Sequence, residues 1–474
     1  MLKYKYDMDF IDRQKEIARL RRALESNKQR FIVVYGRRRL GKSTLIKKVL
    51  QDRDVYFEAA LNEPQVEMQL LVNTIRMTYP GFADARYDSW ESLLTHFNSV
   101  CDENATLCLD EFPYLVKKNP ALPSILQRLL DSESLRFNLI ICGSSQRMME
   151  KIILDSSEPL YGRADERICL GPIGIQYWQE ALPLTAREAF EEFSVWGGVP
   201  RYWRLREDYD NLWDAVENLI LDEHGILSDE PNSLFLDDTS EIAPYSSIMT
   251  ALGSGHTKFS ALALAIGKKT SDLSLPLKNL REMAYIAKEV PFGESENKSR
   301  KTLYGFADQF MGFYYKYVAP NKSYLALGRY EKIMSRIRND FNSHVGHLWE
   351  STCAKAVSLN DLFDQEWGMA SRWWGSVPVK DSNGKVTGHE DIELDVVAES
   401  IDRKCFLIGE CKWNAPDYAE RLLRVLKAKV SKVPLFATRD VIYVLFLREH
   451  PLDEAAIAEE NVHILYPEDI IGLL

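Results

Sequence analysis

Gly36-Arg37-Arg38-Arg39-Leu40-Gly41-Lys42-Ser43 stands between an apolar run, Phe31 to Tyr35, and a helix-like run, Thr44 to Leu50. The pattern G-x-x-x-x-G-K-[ST] set between a strand and a helix decides the fold of this part of the chain. Gly36 and Gly41 let the backbone turn so that successive N–H groups face inward and wrap a phosphate. The helix that follows adds the positive end of its dipole to the same point. In that setting Lys42 reaches the β- and γ-phosphates and the Ser43 hydroxyl becomes a ligand for Mg²⁺. Residues 36–44, Thr44 included, are therefore expected to hold ATP with Mg²⁺.

Outward from this loop, short apolar strands alternate with helices. Val55 to Ala60, Thr106 to Phe112 and Asn138 to Ser145 read as buried strands, and Pro64 to Met77, Trp90 to Cys101 and Ser124 to Asp131 as helices. A softer stretch, Pro80 to Ser89, joins the first two helices. Upstream, Phe10 to Asn27 carries Ile17, Leu20 and Leu24 at helical spacing, with Asp12 placed to cap it. Alternation of this kind implies an α/β fold with a parallel sheet covered on both faces, and ligands then bind outside the carboxyl ends of the strands.

Two acids, Asp110 and Glu111, close the strand TLCLDEF. Asp110 is expected in the Mg²⁺ shell, with Glu111 orienting and polarising the attacking water. Ser144, Ser145 and Gln146 end the next strand, where a polar side chain either senses the γ-phosphate or caps a helix. Arg163 and Arg167 are candidates for positive charge at the transition state, in cis or to a neighbouring subunit.

Composition sets the broad class. The chain has 474 residues, 46% hydrophobic and 27% charged, with a net charge of −11. That length exceeds a single core, and the balance is that of a globular protein. The acidic total argues against a surface coated in nucleic acid but leaves room for a local basic face. Seven cysteines without a CxxC pair argue against a disulfide framework or a zinc site. No apolar run approaches the roughly 18 residues of a membrane span, and MLKYKYDMDFIDR mixes charge too closely for a secretory signal. No membrane partner is expected, and a cytoplasmic location is.

After Arg167 the alternation fades. Ile175 to Asp222, broken by WGGVP at Trp196 to Pro200, reads as a helical lid. Tyr245 to Leu252, Lys258 to Ile266 and Ser271 to Ala287 draw as three helices. Ser271 is placed to cap the third, and a polar loop, Gly293 to Lys301, follows between two β-like pieces. That is the outline of a winged helix-turn-helix. Lys268, Lys269, Lys278, Arg281, Lys298, Arg300 and Lys301 offer it a basic face, the alternative being a solvated helical spacer.

FIDRQKEI, GRRRLGKS, TLCLDEF, IICGSS, PLYGR and WGGVPRYW occur in this order, and together they resemble the archaeal-type P-loop ATPases of the AAA/STAND class. The resemblance covers about Phe10 to Tyr202 well. It implies an ATPase joined to a winged helix and, in many relatives, to a C-terminal domain similar to restriction endonucleases. It also implies a place for Arg13 near the base or ribose, although Asp12 stands where relatives often carry Gly.

The C-terminal part carries a second set of acids. His347 to Leu359 reads as a helix bearing Glu350, followed by strand-like Glu366 to Trp374 and a Gly-rich loop, Asp381 to Gly388. Strands Ile392 to Ala398 and Cys405 to Cys411, a helix Ala419 to Lys429 and a strand Val441 to Leu447 complete an α/β outline. Side chains alternate along a strand, so Glu410 and Lys412 share one face, and a hairpin brings Asp395 beside them. With Glu350 these form a set able to hold Mg²⁺ and activate water against a phosphodiester. D-x14-E-x-K is similar to the PD-(D/E)xK nuclease core, and the plain alternative is a charged hairpin with Glu410 and Lys412 paired.

The expected organisation is an ATPase core (1–170), a helical lid (171–240), a winged helix (241–335) and a nuclease-like domain (336–474). The expected activity is ATP hydrolysis coupled to binding, and in one reading cleavage, of DNA or other nucleic acid. The alternative is a nucleotide-regulated DNA-binding transcription or scaffold protein with an inactive nuclease-like domain, and self-association stays open at this level.

Overall fold

The computed structural model describes residues 11–26, 28–82, 86–132, 134–238, 241–380, 385–414, 418–454, 457 and 459–474. Phe10 and Asn27 of the expected first helix, positions 83–85 of the expected connector and 381–384 of the Gly-rich loop lie outside them. The chain forms two compact units. The first holds residues 1–173, 199–204 and 230–242, and the second holds 174–198, 205–229 and 243–474. The helical segment expected at 171–240 is thus shared between the two.

The first unit runs α1 (Gln14–Leu24), β1 (Phe31–Tyr35), α2 (Lys42–Lys47), β2 (Val55–Glu58), α3 (Pro64–Thr78) and α4 (Trp90–Val100). It continues through β3 (Thr106–Asp110), α5 (Phe112–Lys118), α6 (Leu122–Asp131), β4 (Asn138–Gly143), α7 (Gln146–Leu154) and β5 (Glu166–Cys169). The five strands lie in the order β2-β3-β4-β1-β5 and every pair is parallel. In β1, β3 and β4 every residue is buried, because helices cover both faces and leave no side for polar alternation. Phe31, Val33 and Tyr35 pack with Leu71, Leu93, Phe97, Leu126 and Met149 into one large core. Asp12 does not cap α1: its φ is 49°, and Arg13 takes the N-cap position with no side-chain hydrogen bond.

In the second unit and its connecting segments the chain continues with α8 (Trp178–Ala181), α9 (Ala186–Trp196), α10 (Pro200–Glu207), α11 (Leu212–Val216) and α12 (Glu230–Asp238). α13 (Ala243–Gly253), α14 (Phe259–Ile266) and α15 (Thr270–Glu282) follow. Then come an antiparallel ribbon, β6 (Ile286–Glu289) with β7 (Leu303–Phe306), and the short helices α16 (Gln309–Phe313) and α17 (Lys322–Leu325). Gly267 ends α14 in the left-handed conformation. α15 starts one residue before Ser271, with Lys269 at its N-cap, so Ser271 is inside the helix rather than its cap.

α18 spans Tyr330–Leu359, 30 residues, where a helix was expected only from His347. Its buried positions Ile333, Ile337, Phe341, Val345, Trp349, Cys353 and Ala356 fall four and three apart, so the junction expected at 335 falls inside a continuous helix. Beyond it lie β8 (Ser371–Lys380), β9 (Val386–Glu399), β10 (Cys405–Lys412), α19 (Ala419–Ser431), β11 (Asp440–Leu447), β12 (Val462–Leu465) and α20 (Pro467–Gly472). The sheet order is β12-β11-β10-β9-β8, antiparallel from β8 to β10 and parallel from β10 to β12. Phe406, Ile408, Leu394 and Leu445 meet Leu423, Leu426 and Val430 of α19 in its core.

Candidate functional site

The first unit gathers its polar side chains at the carboxyl edge of the parallel sheet, beyond the ends of β1, β3 and β4. The loop between β1 and α2 holds Gly36 at φ 146° and Gly41 at φ 88°. A Cβ on Gly36 would overlap the Leu170 carbonyl oxygen, so the loop passes too close to the end of β5 for any other residue. Leu40 is buried and anchors the loop, Thr44 lies in the first turn of α2, and Arg38 is exposed. Lys42 is buried, and its ammonium donates to the Arg37 carbonyl of the same loop at 3.0 Å. Arg39 pairs with Glu230, a buried acid that also accepts from the Tyr202 hydroxyl at 2.6 Å.

Ser43 Oγ donates to Asp110 Oδ2 at 2.6 Å. The same carboxylate accepts the Tyr56 hydroxyl through Oδ2 and the Glu111 N–H, at 2.8 Å, through Oδ1. Burial pushes the Asp110 carboxyl up. Hydrogen bonds from Cys142, Ser43, Tyr56 and the Glu111 backbone outweigh this and leave it below the ordinary carboxylate range. Burial and the adjacent carboxylate push the Tyr56 phenol far up, so that it stays a donor. An ionised acid in contact with a serine hydroxyl is a donor set suited to Mg²⁺.

Glu111 occupies the left-handed region, φ 51° and ψ 42°, at the turn from β3 into α5. Its Oε2 accepts from Ser144 Oγ at 2.8 Å and from the Ser144 N–H at 3.2 Å. Ser145 caps α7 by accepting from the Met148 N–H. Of the two readings of this strand end, Ser145 is the helix cap, and Ser144 positions Glu111.

Arg163 is not part of this constellation. Its guanidinium makes two 2.9 Å bonds to Asp131 at the end of α6, and it precedes β5. Two residues on, Asp165 accepts from the N–H of Phe31, the first residue of β1. That is the amino edge of a parallel sheet, about 16 Å of strand from the loop. Arg167, inside β5, is likewise no neighbour of Lys42: it pairs in register with Val33. Arg13 donates to the Gly171 carbonyl at 2.6 Å, just beyond the end of β5.

In the second unit the hairpin aligns Gly409 with Val396, which brings the next residues, Asp395 and Glu410, alongside. Asp395 Oδ2 accepts the Cys411 N–H at 2.8 Å. Glu410 is buried and held by two ammonium groups, Lys412 at 2.8 Å and Lys429 of α19 at 2.8 and 3.1 Å. Burial and repulsion from Glu410 raise the Asp395 carboxyl. Burial, then repulsion from Asp395, pushes Glu350 up to about 7. Burial lowers Lys412, but the attraction of Glu410 outweighs it and the amine stays charged. The structure therefore brings Glu350, Asp395, Glu410 and Lys412 together. Glu410, however, presents its oxygens to lysines, and among the described residues no three His, Cys, Asp or Glu side chains converge as a metal-ligand set.

Four participants escaped sequence reasoning: Tyr56, Cys142 and Glu230 in the first unit and Lys429 in the second. Tyr56 and Cys142 lie on strands flanking β3, which only strand order reveals. Lys429 sits beside the apolar stripe Leu423, Leu426 and Val430, and that stripe was the available signal that its amine lies over the sheet.

Three of the seven cations of the basic face expected on α13–α15 and the ribbon are neutralised. Arg281 pairs with Glu296, Lys278 with Glu282 and Lys301 with Glu294.

Residues 10–179 match the family described as an ATPase domain predominantly from Archaea, and residues 314–426 match one of archaeal and bacterial proteins of unknown function. The first unit therefore contains a nucleotide-binding ATPase domain. The uncharacterized protein MJECL04 of Methanocaldococcus jannaschii is 30% identical over 412 residues, covering 85% of this chain and 88% of its own length. The uncharacterized ATP-binding protein MJ0423 of the same organism is 44% identical over 46 residues, 10% of this chain and 78% of its own. Among solved structures, the Walker-type ATPase PABY2304 of Pyrococcus abyssi aligns at a TM-score of 0.48 and 18% identity, over 65% of this chain and 97% of its own. The Aeropyrum pernix ORC2 protein aligns at 0.45 and 14%, over 67% and 95%. No helix among the described residues is long and apolar enough to cross a membrane.

Proposed function

From the premise that this chain belongs to the family of the M. jannaschii protein MJECL04, with an archaeal-type ATPase domain in its N-terminal part, we propose an ATP-hydrolysing switch with a nucleic-acid-directed output. The observation that carries the reading is the contact of Ser43 with Asp110, with Glu111 held beside it by Ser144. The loop N–H groups and Lys42 bind the phosphates. Ser43 and Asp110 would hold Mg²⁺, which would supply positive charge against the phosphates when bound. Glu111 then orients a water for attack and accepts its proton, and Ser144 fixes the direction of that carboxylate. The two states of the γ-phosphate are the two states of the switch.

On the output side, α13–α15 with the β6/β7 ribbon are read as a winged helix, and α18 with the five-stranded mixed sheet as a nuclease-like domain whose role is binding. The engagement of Glu410 by two lysines supports binding over cleavage. Lys42→Ala is expected to abolish nucleotide binding, and Glu111→Gln to retain binding while turnover falls by roughly 10² or more. Normal hydrolysis by Lys42→Ala would sink the assignment.

Cleavage is the second reading, favoured by the pairing that places Asp395 beside Glu410. It predicts Mg²⁺-dependent plasmid degradation that disappears in Asp395→Ala. A wild-type protein that leaves plasmid intact with ATP, with ADP and without nucleotide rejects it.

A further inference from the structure

Net acidity makes an exposed cluster of cations without an acid partner informative. One such cluster lies on the second unit. α17, the N-cap and the first turns of α18 carry Tyr324, Arg329, Lys332 and Arg336, all exposed. Positions 329, 332 and 336 fall three and four apart, so they form a single strip at the start of the helix. Glu331, two residues out of phase with that spacing, lies on another face.

Among the described residues, the cations of the strip have no carboxylate partner. Arg329 and Lys332 approach the Tyr324 ring, at 5.9 and 5.6 Å from its centre, and Arg336 contacts the neutral Asn321 amide oxygen, at 3.4 Å. Asp340, the next acid along this face, is taken by Lys316 at 2.7 Å and by the Tyr317 hydroxyl at 2.7 Å. On α15 and the ribbon, by contrast, Arg281, Lys278 and Lys301 are each neutralised by a glutamate.

We propose that the Arg329–Lys332–Arg336 strip, with Tyr324 beside it, is the surface on which this chain takes a nucleic-acid strand by its phosphates. The inference rests on the nucleic-acid output of the proposed function and moves its contact surface to α17–α18. Lys332 and Arg336 are separated by about 6 Å of helix rise, close enough for their long side chains to meet neighbouring phosphates of one strand. An exposed tyrosine beside guanidinium and ammonium groups adds a ring on which an unpaired base can stack. An anionic membrane fits less well, since surface binding of that kind draws on roughly four to eight clustered cations.

The test measures binding of labelled single-stranded and duplex oligonucleotides by anisotropy across a salt series, with phosphatidylserine vesicles as a separate arm. It compares the full chain with Arg329→Gln/Lys332→Gln/Arg336→Gln and with Lys268→Gln/Lys269→Gln/Lys298→Gln/Arg300→Gln. The strip variant is expected to lose at least about tenfold in affinity for single strands, and its log–log salt slope to flatten by about 2, three contacts at ~0.7 each. Its basal ATP turnover and melting temperature are expected to match the wild type, since the strip lies on the surface of the second unit. If the wild type binds and the strip variant keeps its slope while the other variant loses it, the placement is overturned and the nucleic-acid reading survives. If the wild type binds no oligonucleotide under any nucleotide condition, both fail. Binding to vesicles alone assigns the strip to a lipid surface and overturns the proposal.

Discussion

Glu350 titrates where a carboxyl ordinarily does not. Burial and the neighbouring Asp395 push it up to about 7 from its ordinary 4.5. Between those two values the folded chain keeps a proton that the unfolded chain has released. Stability therefore falls as pH rises through that window, and the loss is complete once pH exceeds the folded value. A difference of about 2.5 units at 1.36 kcal/mol per unit sets the scale at roughly 3 kcal/mol. Glu350→Gln removes this titration without changing the size of the side chain. The variant should match the wild type near pH 4.5 and exceed it by up to about 3 kcal/mol at pH 8. Urea denaturation of both proteins at pH 5, 6.5 and 8, followed by circular dichroism, reads the difference. Asp395→Asn in the same series should lower the Glu350 midpoint, because it removes the repelling charge. Parallel stability curves for the wild type and Glu350→Gln from pH 5 to 8 would refute the reasoning. The same linkage makes any divalent cation that settles against Glu350 and Asp395 bind more tightly as pH rises, since it must displace protons.

Ser144→Ala removes the 2.8 Å bond to Glu111 and leaves the Ser144 N–H in place. A loss of about 1.5–2 kcal/mol is expected, read as a 10- to 30-fold fall in kcat with nucleotide affinity unchanged in a separate binding titration. Gly36→Ala meets the Leu170 carbonyl at φ 146°, which costs about 1–3 kcal/mol in backbone strain before the overlap is counted. It should lower the melting temperature and weaken ATP binding together. Arg206→Leu strands Glu192, a buried acid that also accepts from the Trp196 indole, and should destabilise the second unit by about 3–5 kcal/mol in denaturant titrations. Double replacement, Arg206→Leu with Glu192→Leu, should recover most of that loss.

The two carboxylate sites differ in a way that bears on their roles. Asp110 is stabilised as an anion by four donors before any cation arrives, so its site is preorganised for one. Asp395 and Glu350 are both raised, and their neighbour Glu410 is neutralised by Lys412 and Lys429. A site in that condition resists negative charge and accepts lysine as its counter-ion. That contrast is the physical ground for the proposal that the first unit hydrolyses and the second binds.

Sequence by itself determined the local chemistry of this protein. A glycine loop between an apolar strand and a helix, acids at the end of a later strand and an E-x-K pair on a further strand are short-range patterns. Their meaning depends on backbone sterics and on the alternation of side chains along a strand, both of which are local. Four strands and most helices of the first unit follow from the same periodicities, whereas α5, α7 and β5 are not read from them, and Phe112, expected at a strand end, begins α5. Tertiary structure alone decided which residues complete each site. Tyr56 and Cys142 reach Asp110 because β2 and β4 flank β3, and Arg163 stands apart from the site of its own chain because β5 begins at the opposite edge from the loop. Lys429 reaches Glu410 because α19 lies over β10, and three of the cations expected to face a nucleic acid are instead occupied by glutamates, Glu282 on the next turn of α15 and Glu294 and Glu296 between β6 and β7. Strand order and helix placement are set by burying apolar surface across the whole chain, a sum over distant residues that no window of sequence contains.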